Sequence, residues 1–267
     1  MRELGIRAIT GAIYVALTLG AALSGPFTTF LLFLPVCVIA MREMHLLYWG
    51  EDAGPPVQWS MLLGATIHLS LAMELFVPQW NIWFSLALGL LLLLVSTAGM
   101  LYRGDATPAA TFGGLLTLIL LIATPFGLLV HFFIFGTWSF IGFMLLLWTN
   151  DTGAYLVGRA IGRTKLLPSV SPKKTVEGLI GGIALTLMVA WCIAKYQTFL
   201  TQGEWITAGA IIALTSTLGD LLESAFKRAR GVKDSGTVLP GHGGILDRFD
   251  GFVLAVPSLL LYFHLVR

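Results

Sequence analysis

The sequence predicts an all-α polytopic integral membrane protein of about nine transmembrane helices, and three observations carry that prediction. Across 267 residues, 57% are hydrophobic and only 11% charged, with a mean hydropathy of +0.86; a soluble domain carries about 25% charged residues. Apolar stretches of about 20 residues, each long enough to cross a bilayer, recur along the whole chain. The basic residues then alternate with these stretches in a way that fixes one orientation. A chain of this length has no room for a separate soluble domain, so 1–267 reads as a single membrane-embedded domain. Within it, 1–136 holds hydrophobic N-terminal helices, and 137–267 holds the helices and two cytoplasmic loops, 150–177 and 229–247, that carry the chemistry.

The apolar periods place helices at 8–23, 27–48, 57–77, 81–102, 111–135, 138–159, 177–199, 205–228 and 248–266. Breakers separate them: Ser24-Gly25-Pro26, Glu51-Asp52-Ala53-Gly54-Pro55-Pro56, Val77-Pro78-Gln79, Arg103-Gly104-Asp105 and Gly136-Thr137. Pro35, Pro125 and Pro257 fall inside spans, where kinks are tolerated if neighbours re-satisfy the backbone. Trp49, Trp59, Trp80, Trp83, Trp138 and Trp205 lie near span ends, as an interfacial aromatic belt requires. The N-terminal run to Ser24 resembles a secretory signal but reads as a retained first helix, because apolar spans continue behind it. Cys37 and Cys192 sit in separate apolar runs and read as small buried hydrophobes.

With the segments numbered alternately from an inside N-terminus, fourteen of the sixteen Lys and Arg residues fall on the inner side. Only Lys195 and Arg267 fall outside. That asymmetry predicts a cytoplasmic N-terminus and an external C-terminus, with both long loops facing the cytoplasm.

In the first long loop, Asn150 and Asp151 interrupt the sixth apolar span. An ionisable group at that depth is a candidate functional residue; a polar hinge at a helix end is the plainer alternative. Further on, Ser171-Pro172-Lys173-Lys174-Thr175 sets two ammonium groups and two hydroxyls before Glu177 and a new helix. Lysines beside a helix N-terminus suit an anion such as phosphate, although a cytoplasmic lysine pair also satisfies topology alone. Gly178, Gly181 and Gly182 read as close helix packing.

The stretch 220–251 concentrates five acidic and five basic residues. Asp220, Glu223, Ser224 and Lys227 fall within about a 100° arc of one helix. Glu223 and Lys227, four apart, are spaced for an ion pair. Asp220 has no basic residue three or four positions away, so its partner is expected to be a metal or a group from another element. Gly231 to Gly244 is a glycine-rich loop able to bring backbone amides against an anion, with His242 inside Gly241-His242-Gly243-Gly244. Asp247 and Asp250 follow at a spacing of three, with Arg248 between them. Carboxylates grouped with phosphate-binding cations are the means of holding Mg²⁺ for phosphoryl chemistry. The isolated His45, His68, His131 and His264 form no zinc motif, and neither a P-loop nor a dinucleotide fingerprint is present.

Ser224-x-Phe226-Lys227-Arg228, Lys233-Asp234-Ser235-Gly236 and Leu239-Pro240-x-His242-Gly243-Gly244-Ile245-x-Asp247-Arg248-Phe249-Asp250 together resemble the signature of phosphatidate cytidylyltransferases. Asn150-Asp151-Thr152-Gly153-Ala154-Tyr155, Gly158-Arg159, Ser171-Pro172-Lys173-Lys174-Thr175 and Glu177-Gly178 resemble further blocks of that family. Gly251 departs from it, standing where many members have Ser. The resemblance covers about a quarter of the chain; the first 145 residues share only its hydrophobicity.

The resemblance implies cytidylyl transfer from CTP to phosphatidic acid, giving CDP-diacylglycerol and pyrophosphate, with Mg²⁺ and room for a second cation. Asp220, Asp247, Asp250 and Lys227 would be catalytic, with Asp220 and Asp247 holding the metal. Asn150, Asp151, Lys173, Lys174, Ser224, Arg228, Lys233, His242, Gly243, Gly244 and Arg248 would bind the substrate phosphates. It further implies a bacterial-type inner membrane with the site facing the cytoplasm, no nucleic-acid partner, and compatibility with a homodimer. Two alternatives stay open at this point: a CTP-dependent polyprenol or phytol kinase, and a transporter whose basic loops only set topology.

Overall fold

Long apolar runs have one way to satisfy their backbone in lipid, which is to become helices, and the computed structural model is accordingly helical. It describes residues 2–50, 54–238 and 243–267, so Glu51, Asp52 and Ala53 and the signature residues Leu239, Pro240 and His242 lie outside the described residues. Eight helices among them are long and apolar enough to span a membrane, and Ile9–Ser24 is a shorter apolar helix. The chain is an integral membrane protein. It divides into two compact units, Met1–His131 with Asp234–Arg248, and Phe132–Lys233 with Phe249–Arg267.

The first unit begins with α1 (Arg2–Ser24), α2 (Pro26–Tyr48), α3 (Val57–Phe76) and α4 (Ile82–Tyr102). Asn81 caps α4, its side chain accepting from Trp83 N at 3.0 Å. The span expected at 111–135 is present as one apolar run, Pro108–Phe135, but its helix type changes along it: α5 (Pro108–Thr117), a π-helical turn (Leu118–Ala123), α6 (Thr124–Leu128) and a 3₁₀ stretch (Leu129–Phe135). Pro125 lacks an N–H and cannot continue a regular ladder, and the π turn just before it absorbs the mismatch. The core gathers Phe30, Ala72 and Val130, with Phe30 stacked on His68 at 5.2 Å. Cys37, also on α2, is buried, as expected.

In the second unit, α7 (Thr137–Ile161) is followed by a hairpin of β1 (Lys165–Leu167) and β2 (Ser171–Thr175), then α8 (Val176–Ile193) and α9 (Gln202–Ala229). The sequence reading treated 150–177 as one long connection. The helix expected at 138–159 is α7, which carries Asn150 within it and ends at Ile161, so the connection proper begins at Gly162, and an antiparallel hairpin pairing Lys165 with Thr175 fills most of it. Strands of three and five residues are too short to give a periodic signal. α8 stops at Ile193 rather than 199, where Lys195 lies over the Trp191 ring at 3.4 Å. Cys192 corrects a second expectation: it is exposed, near the C-terminal end of α8.

Helix α9 opens with a capping box between Thr201 and Glu204. A four-residue helix, α10 (Leu246–Phe249), leads into α11 (Phe252–Val266). Small residues let these helices approach: a Cβ at Gly181 would sit 2.4 Å from Val157, and one at Gly182 would sit 2.8 Å from Asn150 Oδ1. The glycines of 178–182 therefore serve close packing of α7 on α8, as expected.

Candidate active site

The polar face of α9 forms because Asp220, Glu223, Ser224 and Lys227 recur at helical spacing. Lys227 and Glu223 make the ion pair that their separation suggests, and both are buried. Ser224 Oγ donates to Asp220 Oδ1 at 3.3 Å. Asp220 finds its cation outside its own helix, from Lys174 Nζ on β2. The hairpin that sequence reasoning missed is thus the element that delivers this lysine.

Two local features hold the hairpin in place. Thr175 caps α8, its Oγ1 accepting from Gly178 N at 3.1 Å. Glu177, in the first turn of α8, reaches back to accept from Arg163 N at 3.0 Å and Thr164 N at 3.1 Å. From the far end of α9, Arg228 donates to Val170 O at 3.2 Å and to Val232 O at 2.6 Å, tying the hairpin turn to the helix terminus. Lys173, Asp151 and Lys233 are exposed.

Asn150 has a different setting. It is buried, and its Nδ2 donates to Ser216 Oγ at 2.9 Å, joining α7 to α9. Its Oδ1 is buried without a hydrogen-bond partner. Asp250 is brought to α9 by a close backbone approach: a Cβ at Gly219 would meet Asp250 O at 2.5 Å. Asp250 Oδ1 accepts from Gly251 N at 2.7 Å, and Asp220, Asp151 and Glu223 all act electrostatically on its carboxyl. Four carboxylates and two lysines therefore share one neighbourhood of the second unit.

In the first unit, the signature loop is organised by carboxylates rather than by its glycines alone. Asp247 is buried, and its Oδ2 accepts from Ser235 N at 2.9 Å and Gly244 N at 2.7 Å. Gly243 turns with φ 84°, a conformation open to glycine. Arg248 is exposed. Sequence reasoning missed Glu43 of α2, which is 1% exposed and accepts from Ser235 Oγ, Ile245 N and Leu246 N. The available signal was a carboxylate inside an apolar span, the same signal that singled out Asp151.

Among the described residues, no three His, Cys, Asp or Glu side chains are grouped so as to hold a metal by themselves. The donor set is nonetheless all carboxylate oxygen, which suits a hard cation. Mg²⁺ commonly binds through one or two carboxylates and completes its shell with substrate phosphates and water. The carboxylates present fit a hard divalent cation that takes its remaining ligands from elsewhere.

Residues 5–266 match the cytidylyltransferase family, and the chain belongs to that family. It is similar to the phosphatidate cytidylyltransferase of Staphylococcus aureus (strain COL), 51% identical over 117 residues that cover 43% of this chain and 45% of the relative. The protein of that name from Staphylococcus haemolyticus is 49% identical over 116 residues, with the same coverage of 43% and 45%. That from Staphylococcus epidermidis is 49% identical over 117 residues, again 43% and 45%. The matched stretch thus spans less than half the length of these curated relatives.

Proposed function

We propose that the protein transfers the cytidylyl group of CTP to phosphatidic acid, releasing pyrophosphate and forming CDP-diacylglycerol for phospholipid synthesis. The observation that carries this reading is the Lys174–Asp220 ion pair beside Asp250, Glu223 and Lys227 at the end of a membrane helix. Family membership and the names of the relatives support the choice of nucleotide and lipid.

The physical problem is to bring a triphosphate and a lipid phosphomonoester together although they repel each other. Lys174 and Lys227 are each paired with a carboxylate. On binding, their ammonium groups can turn from carboxylate to phosphate, releasing Asp220 as a ligand. Cytidylyltransferases generally use a divalent metal; we assign Mg²⁺, with Asp220 and Asp247 as its carboxylates, Asp250 supporting, and a second cation allowed. When bound, the cation would neutralise charge developing on the phosphate oxygens. Lys173, Asp151, Ser224, Arg228, Lys233, His242 and Arg248 are assigned to substrate phosphates and their cations, and Gly243 and Gly244 supply backbone room. Asn150 is assigned to holding α7 against α9. The lipid phosphate is itself a competent nucleophile, so the chain needs only to align it with the α-phosphorus, opposite the departing pyrophosphate.

The basic-residue asymmetry supports a site facing the cytoplasm of a bacterial inner membrane, where CTP is available. The test uses purified protein in detergent with phosphatidic acid and CTP labelled in the α- or the γ-phosphate. Label from the α position should enter lipid and label from the γ position should not. The reverse pattern would make the protein a lipid kinase, and no Mg²⁺-dependent label in lipid would favour a transporter.

A further inference from the structure

Glu43 lies on α2, about two hundred residues from the signature loop in sequence, yet its carboxylate sits inside that loop. Its Oε1 accepts from Ile245 N at 3.0 Å, and its Oε2 accepts from Leu246 N at 2.7 Å and Ser235 Oγ at 2.9 Å. A buried carboxylate is costly to desolvate unless such donors replace water. All three partners donate, so the site asks for acceptors on both oxygens at once. The loop is also cut to this side chain: a Cβ at Gly236 would lie 2.5 Å from Glu43 Oε1, and one at Gly244 would lie 2.5 Å from Oε2. The glycines at these two positions leave room for Glu43.

The same segment carries Asp247. Ser235 gives its N–H to Asp247 and its hydroxyl to Glu43, while Gly244 N goes to Asp247 and the next two amides go to Glu43. Two carboxylates thus divide consecutive donors of 244–246 and share Ser235. Moving Glu43 would shift the backbone that fixes Asp247.

We propose that Glu43 is a positioning residue for cytidylyl transfer: it clamps 235–236 to 244–246 and so sets the Asp247 carboxylate before substrate binds. This inference rests on the functional reading above. It gives the otherwise featureless N-terminal helices a part in the reaction.

The test compares wild type with Glu43→Gln, Glu43→Asp and Ser235→Ala, purified in detergent, by amide hydrogen exchange and by labelled-CTP kinetics. In Glu43→Gln, an amide NH₂ must face a donor, so exchange at the 235 and 245–246 amides should rise at least about tenfold, with the remaining helices unchanged. kcat/KM for CTP should fall by about tenfold or more and the Mg²⁺ needed for half activity should rise, while KM for phosphatidate stays within about twofold. Glu43→Asp keeps the charge and should recover part of the loss. Ser235→Ala removes one donor and should give the same pattern more weakly, which keeps the test available if Glu43→Gln does not fold. Wild-type exchange in this loop for Glu43→Gln, or a rise spread evenly over the chain with a lowered Tm, overturns the proposal. If wild type transfers no α-label, the functional reading falls, and the exchange pattern still decides whether Glu43 holds the loop.

Discussion

Asp247 and Asp220 illustrate how two aspartates of the stretch 220–251 come to differ. Asp247 has one oxygen committed to two backbone amides, whereas Asp220 accepts from Ser224 and pairs with a lysine. An Asp247→Asn variant can turn its amide oxygen to both N–H groups and keep the loop, but it loses the charge that would face a cation. We expect purified Asp247→Asn to keep wild-type Tm within a few degrees and lose about 10²-fold or more in kcat, a range typical of removing electrostatic stabilisation at a reacting centre. Near-normal turnover at limiting Mg²⁺ would remove Asp247 from the metal. Lys174→Met separates the two roles assigned to that lysine. It should weaken CTP binding and also leave Asp220 unpaired, so Lys174→Met combined with Asp220→Asn should cost less than the sum of the two single changes. A strictly additive double-mutant cycle would show that the pair does not act as a unit.

At the scale of elements, the spans were legible because twenty apolar residues in a row permit little else. That α8 packs closely on a neighbour was legible for a related reason, since three glycines at 178, 181 and 182 mark one close-packed face, but that the neighbour is α7 was not. The hairpin was not, since β1 and β2 are too short for a period and Pro172 argues against a strand. Nor was the Glu43 contact, because nothing local in α2 points to a loop two hundred residues away. The helix contact carries its own prediction. In Gly181→Ala the new methyl would meet the Val157 side chain at 2.4 Å, and neither backbone can shift without disturbing the hairpin that α8 begins from. A loss of about 1–3 kcal/mol is expected, the usual cost of overpacking, seen as a lowered Tm in detergent. By contrast, Gly203→Ala, where the new methyl meets nothing within 4 Å, should leave Tm unchanged.

For the whole molecule, the decisive quantity is the placement of sixteen basic residues between the apolar helices. The α8 segment turns that placement into geometry. Its 18 residues rise about 27 Å at 1.5 Å each, close to the ~30 Å hydrocarbon core. The hairpin before it and Lys195 after it must then lie on opposite faces of the membrane. The hairpin region carries Arg163, Lys165, Lys173 and Lys174, against Lys195 alone at the other end, so the positive-inside rule predicts a cytoplasmic hairpin. In a background with Cys37 and Cys192 replaced, Arg163→Cys should react with a membrane-impermeant maleimide only after cells are permeabilised. Lys195→Cys should react in intact cells. The opposite pattern would place the Lys174–Asp220 pair on the face without CTP, and the proposed reaction could not run there.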